Sequence, residues 1–438
     1  MTAPLEFSTR AHQTDEPPIS YFIQQGVENP NLISLAAGLV DPESLPVEEV
    51  RAVTNEILAD PRSAQAALQY GTTQGYGPLR DKIHRHLLAL DGLKPSEVSN
   101  SADDIVLSTG SQQLLYLLGE VLLNPGDIVI TEAPSYFVYH GILGSLGIRT
   151  LTVPMDDNGM NTDALEELLT RLEASGELPR VKLVYTVDYF QNPTGLTLSL
   201  PRRRHLLDLV QRFSKTQRIL ILEDAAYREL RFDGDDVPSI KSIDRTNEYV
   251  ILAMTFSKPL SPGLKTGYGV LPRDLVGPLL RFKGNHDFGS SNLDQHILDR
   301  VMANGSYQRH VEELRGVYRA KRDTLLAALA EEFPPANSPL RWTRPVGGLY
   351  VWLICPPALE TGPGSPFMEA ALREGVLYVP GSFCYVKNGV VPNHEARLCY
   401  GVASHEQIRE AVRRLGKAAR EVMPMEKITM RGLAGCKA

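Results

Sequence analysis

The chain predicts an α/β protein with a large domain, a mostly parallel sheet covered by helices, and a smaller α+β C-terminal domain. Three observations carry this expectation. Between about 104 and 270, short β-rich apolar runs alternate with amphipathic helical stretches. Those runs are nearly continuous in apolar character, as strands buried on both faces are. After about 310 the pattern changes to a long polar helix, a Pro-rich turn, short strands and a last helix. The predicted division is an N-terminal arm over 1–45 that contributes to the small domain and a dimer, a large domain over 46–310, and a small domain over 311–438.

In chain order, the first 45 residues are Pro- and Asn-rich and weakly periodic, with one short helical stretch, "PISYFIQQG". The predicted strands are "DIVLST", "DIVIT", "RTLTV", "VKLVYTV", "RILILED" and "YVILAMTFS". Between them, "SQQLLYLLGEVLL" and "NTDALEELLTRLEAS" space their apolar residues at helical intervals. The cluster Arg202-Arg203-Arg204-His205 opens a helical stretch and reads as a solvated face. The C-terminal part holds "RHVEELRGVYRAKRDTLLAALAEEF", then "GGLYVWLIC", "VLYVPG" and "RLCYGV", and ends on "SHEQIREAVRRLGKAAREV".

Composition narrows the function classes. The chain has 438 residues, 43% hydrophobic and 22% charged, ordinary values for a soluble globular protein. A net charge of −7 argues against nucleic-acid binding, which needs a concentrated basic face. No apolar run approaches membrane-spanning length, and the N-terminus lacks the apolar core of a signal peptide. Cys355, Cys384, Cys399 and Cys436 show no ligand or disulfide spacing, so no metal site is expected and a cytoplasmic location is.

In open α/β sheets, ligands bind beyond the carboxyl ends of the strands. The residues following each run are Thr109-Gly110-Ser111-Gln112, Glu132-Ala133-Pro134-Ser135-Tyr136, Gln191-Asn192-Pro193-Thr194-Gly195, Glu223-Asp224-Ala225-Ala226-Tyr227 and Thr255-Phe256-Ser257-Lys258. A Gly-Ser-Gln turn opening a helix offers free N–H groups to a phosphate. An aspartate ending a buried strand suits a protonated ring nitrogen. A lysine held desolvated beside it suits a Schiff-base nucleophile. Taken singly, Ser111 reads as a helix cap, Asn192-Pro193 as a turn, Tyr136 and Tyr227 as packing aromatics, and Lys258 as a charged loop residue. The set in this order carries the argument. A P-loop is absent, as is a G-x-S-x-G elbow, and "GYGPLR" lacks the third glycine of a dinucleotide fingerprint.

These pieces, with "LISLAAGLVDPESLP", "YGTTQGYGPLR", "STGSQQLL", "FQNPTG", "EDAAY", "TFSKPLSPGLKTGYG", "VGGLYVW" and "RLCYG", resemble the pyridoxal-phosphate-dependent aminotransferases of fold type I, class I/II. The likeness is strongest to the 2-aminoadipate/kynurenine aminotransferase branch and spans nearly the whole chain. It implies amino transfer from an L-amino acid to a 2-oxo acid, 2-oxoglutarate or pyruvate, through an internal aldimine of Lys258 with pyridoxal 5'-phosphate. It implies that Asp224 pairs with the pyridinium nitrogen and that Tyr227 and Asn192 bond the ring oxygen. Tyr136 would stack on the ring, and Ser111, Gln112, Ser257 and Lys265 would hold the phosphate. Arg397 would clamp the substrate carboxylate, Gly38 would line the substrate pocket, and Tyr70 would reach the phosphate of the neighbouring subunit in a homodimer.

Two departures stand out. Lys265 replaces the arginine usual in "PGLRxG", and "SPGLKTG" is expected to fold back and bring it to the phosphate. "PISYFIQQG" lacks the arginine that adipate- or glutamate-handling relatives often carry, which leaves donor specificity open. Other chemistries on the same scaffold (β-lyase, decarboxylase, secondary-metabolism synthase) need the same lysine, aspartate and tyrosine. A regulator with an aminotransferase-like domain would need a DNA-binding domain in front, and only about 30 residues precede "LISLAAG".

Overall fold

The computed structural model describes residues 5–29, 31–336, 338–387 and 391–423; Cys436 lies outside them. The N-terminal segment contributes a two-residue strand, β1 (Ile33–Ser34). The large sheet contains β2 (Ile105–Ser108), β3 (Ile128–Ala133), β4 (Arg149–Asp156), β5 (Gly159–Met160), β6 (Val181–Val187), β7 (Leu220–Asp224), β8 (Val250–Thr255) and β9 (Gly267–Val270), in the order β2-β9-β8-β7-β6-β3-β4-β5. The pairs β3/β4, β3/β6, β6/β7 and β7/β8 are parallel, whereas β9 runs antiparallel to both its neighbours and β5 antiparallel to β4.

Alternation along β7 explains its unbroken apolar run. Leu220 and Leu222 pack on one face with Leu114, Leu115, Leu117 and Leu118 of the helix Gly110–Leu122. Ile221 packs on the other face with Leu165 and Leu169 of the helix Thr162–Ala174 and with Leu206 and Leu209 of Leu200–Phe213. With helices on both faces, no position can be polar until the strand ends. The register aligns Val187 of β6, Asp224 of β7 and Ala253 of β8 in one row, so the chains leaving these strands emerge side by side.

Strand β9 was not expected from the sequence, because "GYGV" has two glycines and weak strand propensity. Its glycine has a packing reason. A Cβ on Gly267 would meet Ser111 N at 2.5 Å and Met254 O at 2.8 Å, so only glycine lets β9 lie against the start of the helix Gly110–Leu122.

A second, antiparallel sheet contains β10 (Arg341–Trp342), β11 (Tyr350–Ile354), β13 (Val379–Pro380) and β14 (Glu395–Cys399) in the order β10-β11-β14-β13; β12 (Val376–Leu377) pairs in parallel with β1 instead. The first and last parts of the chain are thus hydrogen-bonded to each other. The helices Ser306–Glu332 and His405–Val422 cover this region, the latter capped by Ser404 with Gln407 in a capping box.

One expectation is corrected. The cluster Arg202–His205 is not a solvated face: Arg203 is fully buried, and Arg204 is the exposed member. Arg203 donates Nε to Leu198 O at 2.8 Å and Nη2 to Asp188 O at 2.8 Å, pairs with the Asp188 carboxylate, and lies 4.0 Å above the Tyr189 ring. Burying a guanidinium is costly without such pairing. The acid that pairs with it stands directly after β6, and nothing local to "PRRRH" announces that.

Candidate active site

A cavity of about 280 Å³ opens where β6, β7 and β8 end. It brings together Gly38, Ser111, Gln112, Tyr136, Asn192, Asp224, Tyr227, Ser257, Lys258, Lys265 and Arg397. Of the twelve residues expected at the site, Tyr70 alone does not line it. Tyr70 is 82% exposed and rests edge-on against Phe288, ring centroids 5.5 Å apart.

Lys258 follows β8 and is partly buried. Its Nζ donates to Gly38 O at 2.6 Å, and burial pulls its pKa down to about 8. The amine is therefore much closer to its neutral, nucleophilic form than an exposed lysine. Asp224 ends β7. Burial pushes its carboxyl up to about 6, against the hydrogen bonds from Tyr185 Oη (3.0 Å) and Ala226 N (3.3 Å). Tyr227 Oη lies 2.8 Å from Tyr350 Oη, and burial raises its pKa well above the usual phenol range.

Arg397, on β14, reaches across from the second sheet. Its Nη1 donates to Asn192 Oδ1 at 2.8 Å and its Nη2 to Ala36 O at 2.6 Å, while Nε has no hydrogen-bond partner among the described residues. The guanidinium lies 4.5 Å from the Tyr350 ring centroid and 5.4 Å from that of Phe137. Among the described residues no carboxylate pairs with it. A buried cation so prepared selects an anion.

Opposite, the first residues of the helix Gly110–Leu122 present the N-terminal end of a long helix to the cavity, with Ser111 and Gln112 on its first turn. Ser257 N donates to Thr255 Oγ1 at 3.1 Å, and Thr255 Oγ1 to Ser257 Oγ at 3.0 Å, which fixes both hydroxyls. Between β8 and β9 the chain reverses through Pro262–Leu264 and a left-handed Lys265 (φ 43°), which also lines the cavity. The expected fold-back of "SPGLKTG" is present. The helix end, the hydroxyls and Lys265 offer an anion cradle in the same cavity that Asp224 and Lys258 line. That set fits pyridoxal 5'-phosphate.

Sequence reasoning assigned no role to Tyr350, although "VGGLYVW" contains it. A Cβ on Gly38 would overlap the Tyr350 hydroxyl, so these two positions, far apart in the chain, are matched in size. Tyr185 was missed as well. The available signal was a phenol in a strand, "VKLVYTV", that had to be buried on both faces.

The profile of the family described as "Aminotransferase class I and II" matches residues 30–415. The chain is 36% identical to aromatic-amino-acid aminotransferase 1 of Thermococcus litoralis, over 91% of this chain and 90% of that one. It is also 36% identical to the 2-aminoadipate transaminase of Thermus thermophilus, over 91% and 92%. A solved structure of Pyrococcus horikoshii kynurenine aminotransferase in complex with PMP superposes with a TM-score of 0.86 at 34% identity, covering 95% of this chain and 97% of that one. Fold and cavity define a fold type I pyridoxal-phosphate enzyme. The chain belongs to the class I and II aminotransferases, an enzyme of amino transfer whose cofactor is pyridoxal 5'-phosphate.

Proposed function

We propose that the enzyme moves the amino group of a large apolar or aromatic L-amino acid to 2-oxoglutarate or pyruvate. The observation that carries this reading is the convergence in one cavity of a desolvated amine, a buried carboxylate and a buried guanidinium that has no carboxylate partner among the described residues. The relatives act, by their names, on aromatic amino acids, 2-aminoadipate and kynurenine. Leu39, Phe137, Val138 and Tyr350 are among the cavity's apolar lining, and its three described cations each have a role below.

Bound pyridoxal phosphate supplies the electron sink for the negative charge left at the substrate Cα. Lys258 would hold the cofactor through Nζ and, once its amine is free, would take the proton from the donor's Cα and, in the acceptor half-reaction, deliver one to the acceptor's Cα, for which a pKa near neutrality suits a base. Asp224 holds the proton on the cofactor's ring nitrogen. Tyr227 and Asn192 orient the ring through its oxygen, and Tyr136 packs on its face. Ser111, Gln112, Ser257 and Lys265 bind the phosphate. Arg397 orients the substrate by its carboxylate, so that donor and acceptor acids take the same place, and Gly38 leaves room for the side chain.

We further propose the division into an arm (1–45), a large domain (46–310) and a small domain (311–438), a cytoplasmic homodimer, and a reach of Tyr70 to the partner's phosphate. Exposure of Tyr70, Leu68, Phe282 and Phe288 supports the dimer, and sedimentation tests it. For the reaction, the cofactor-loaded enzyme is given one donor and one oxo acid at a time. Equal amounts of donor-derived oxo acid and acceptor-derived amino acid are expected. Release of ammonia or carbon dioxide without a new amino acid would refute amino transfer, and turnover only with dicarboxylic donors would refute the donor class.

A further inference from the structure

Asp224 is approached from the sheet side by two buried phenols that the roles above do not use. Its side chain shares the β7 face of Leu220 and Leu222, and on that face Tyr185 of β6 donates its hydroxyl to Oδ2 at 3.0 Å. The other donor is Ala226 N, 3.3 Å from Oδ1. The Tyr185 ring is stacked on Tyr139 of the helix Phe137–Ser145, centroids 4.2 Å apart and planes tilted by 34°. Neither ring is exposed to solvent. Tyr185 is therefore held by a central strand on one side and by a neighbouring ring on the other.

We propose that Tyr185 is a positioning residue whose hydroxyl keeps Asp224 ionised and turned toward the cofactor. The inference rests on the reading that Asp224 faces the ring nitrogen.

The electrostatic surroundings call for such a donor. The groups facing Asp224 are Glu132 from β3, Tyr136 and Tyr139 from the segment after β3, and Tyr185 from β6; Lys258, after β8, and Arg397, on β14, line the same cavity. Glu132 is itself buried; burial and, more weakly, the Asp224 carboxylate raise its pKa to about 7. Before the cofactor arrives, the carboxylate depends on hydrogen bonds, since burial favours its neutral form. A phenol serves better here than an imidazole would. Burial holds the Tyr185 pKa far above the usual phenol value, so it remains a donor throughout the working pH range.

Tyr185→Phe retains the ring against Tyr139 and removes only the donor. The measurement is cofactor affinity of the apo-protein from pH 6 to 8.5, in buffer without phosphate, together with single-turnover rates over the same range. A hydrogen bond to a charged acceptor is worth roughly tenfold to hundredfold, so the dissociation constant should rise by about that factor at pH 6 and much less at pH 8.5. The acid limb of the rate should move up by about one to two pH units. In an Asp224→Asn background, the same substitution should change neither. A wild-type acid limb and affinity in Tyr185→Phe, with Asp224→Asn alone clearly impaired, would reduce Tyr185 to a packing residue. Equal shifts in both backgrounds would do the same. If Asp224→Asn alone behaved as wild type, the placement of Asp224 would fall, and this inference with it.

Discussion

Replacing Arg397 with methionine separates catalysis from folding, because its effects on folding oppose one another while its effect on catalysis has no offset. The guanidinium is 2% exposed and has no carboxylate partner among the described residues. Removing it relieves a buried uncompensated charge, worth about 1–4 kcal/mol when apolar groups fill the space. It also strands the acceptors Asn192 Oδ1 and Ala36 O, at about 1–3 kcal/mol for each group left unsatisfied. These terms oppose, and with two acceptors stranded the apo-enzyme should lie between about 2 kcal/mol more stable and about 5 kcal/mol less stable than wild type. The catalytic effect has no such offset. Loss of a desolvated charge pair with the substrate carboxylate costs about 2–5 kcal/mol, or roughly thirtyfold to several-thousandfold in kcat/KM. Because donor and acceptor acids present the same carboxylate, both half-reactions should fall together. Steady-state kinetics with each substrate varied, beside denaturant melts of the apo-protein, provide the comparison. A kcat/KM within threefold of wild type for both substrates, or a loss confined to one, would refute the assignment.

Borohydride treatment of the loaded enzyme should fix the cofactor to the peptide carrying Lys258, and Lys258→Ala should lower turnover at least about 10²–10⁴-fold, the usual contribution of a positioned base; wild-type turnover would remove Lys258 from the chemistry. Lys265→Met should weaken cofactor binding by about 1.5–3 kcal/mol in equilibrium titration, and Lys265→Arg should retain or tighten it. Equal affinity in the methionine variant would show that this lysine does not hold the phosphate. Gly267→Ala should also weaken the cofactor, since its Cβ must push Ser111 N out of place. An unchanged dissociation constant with an intact fold would mean that β9 does not set the cradle.

Much of the site was legible because parallel strands end together. Once "RILILED" and "YVILAMTFS" are read as neighbouring buried strands, the residues directly after them must share one edge, whatever the rest of the chain does. Local patterning places Asp224, Tyr227, Ser257 and Lys258 at that edge, and the helix end at Ser111 likewise, while their roles come from the resemblance of the whole set. The fold-back of Lys265 was equally local, prepared by Pro262 and Gly263.

Tertiary structure decided what depends on residues far apart in sequence. Tyr350 meets Tyr227 across 123 positions and bounds the space at Gly38, and Arg397 finds Asn192 across 205. Arg203, which reads as a surface charge, is buried because its acid lies beyond the end of β6. Strand β9 forms from a glycine-rich segment because close approach to Ser111 outweighs propensity. Periodicity records which face of an element is buried and where the element stops. It does not record which partner occupies that face, because packing and charge pairing are settled only when distant segments meet.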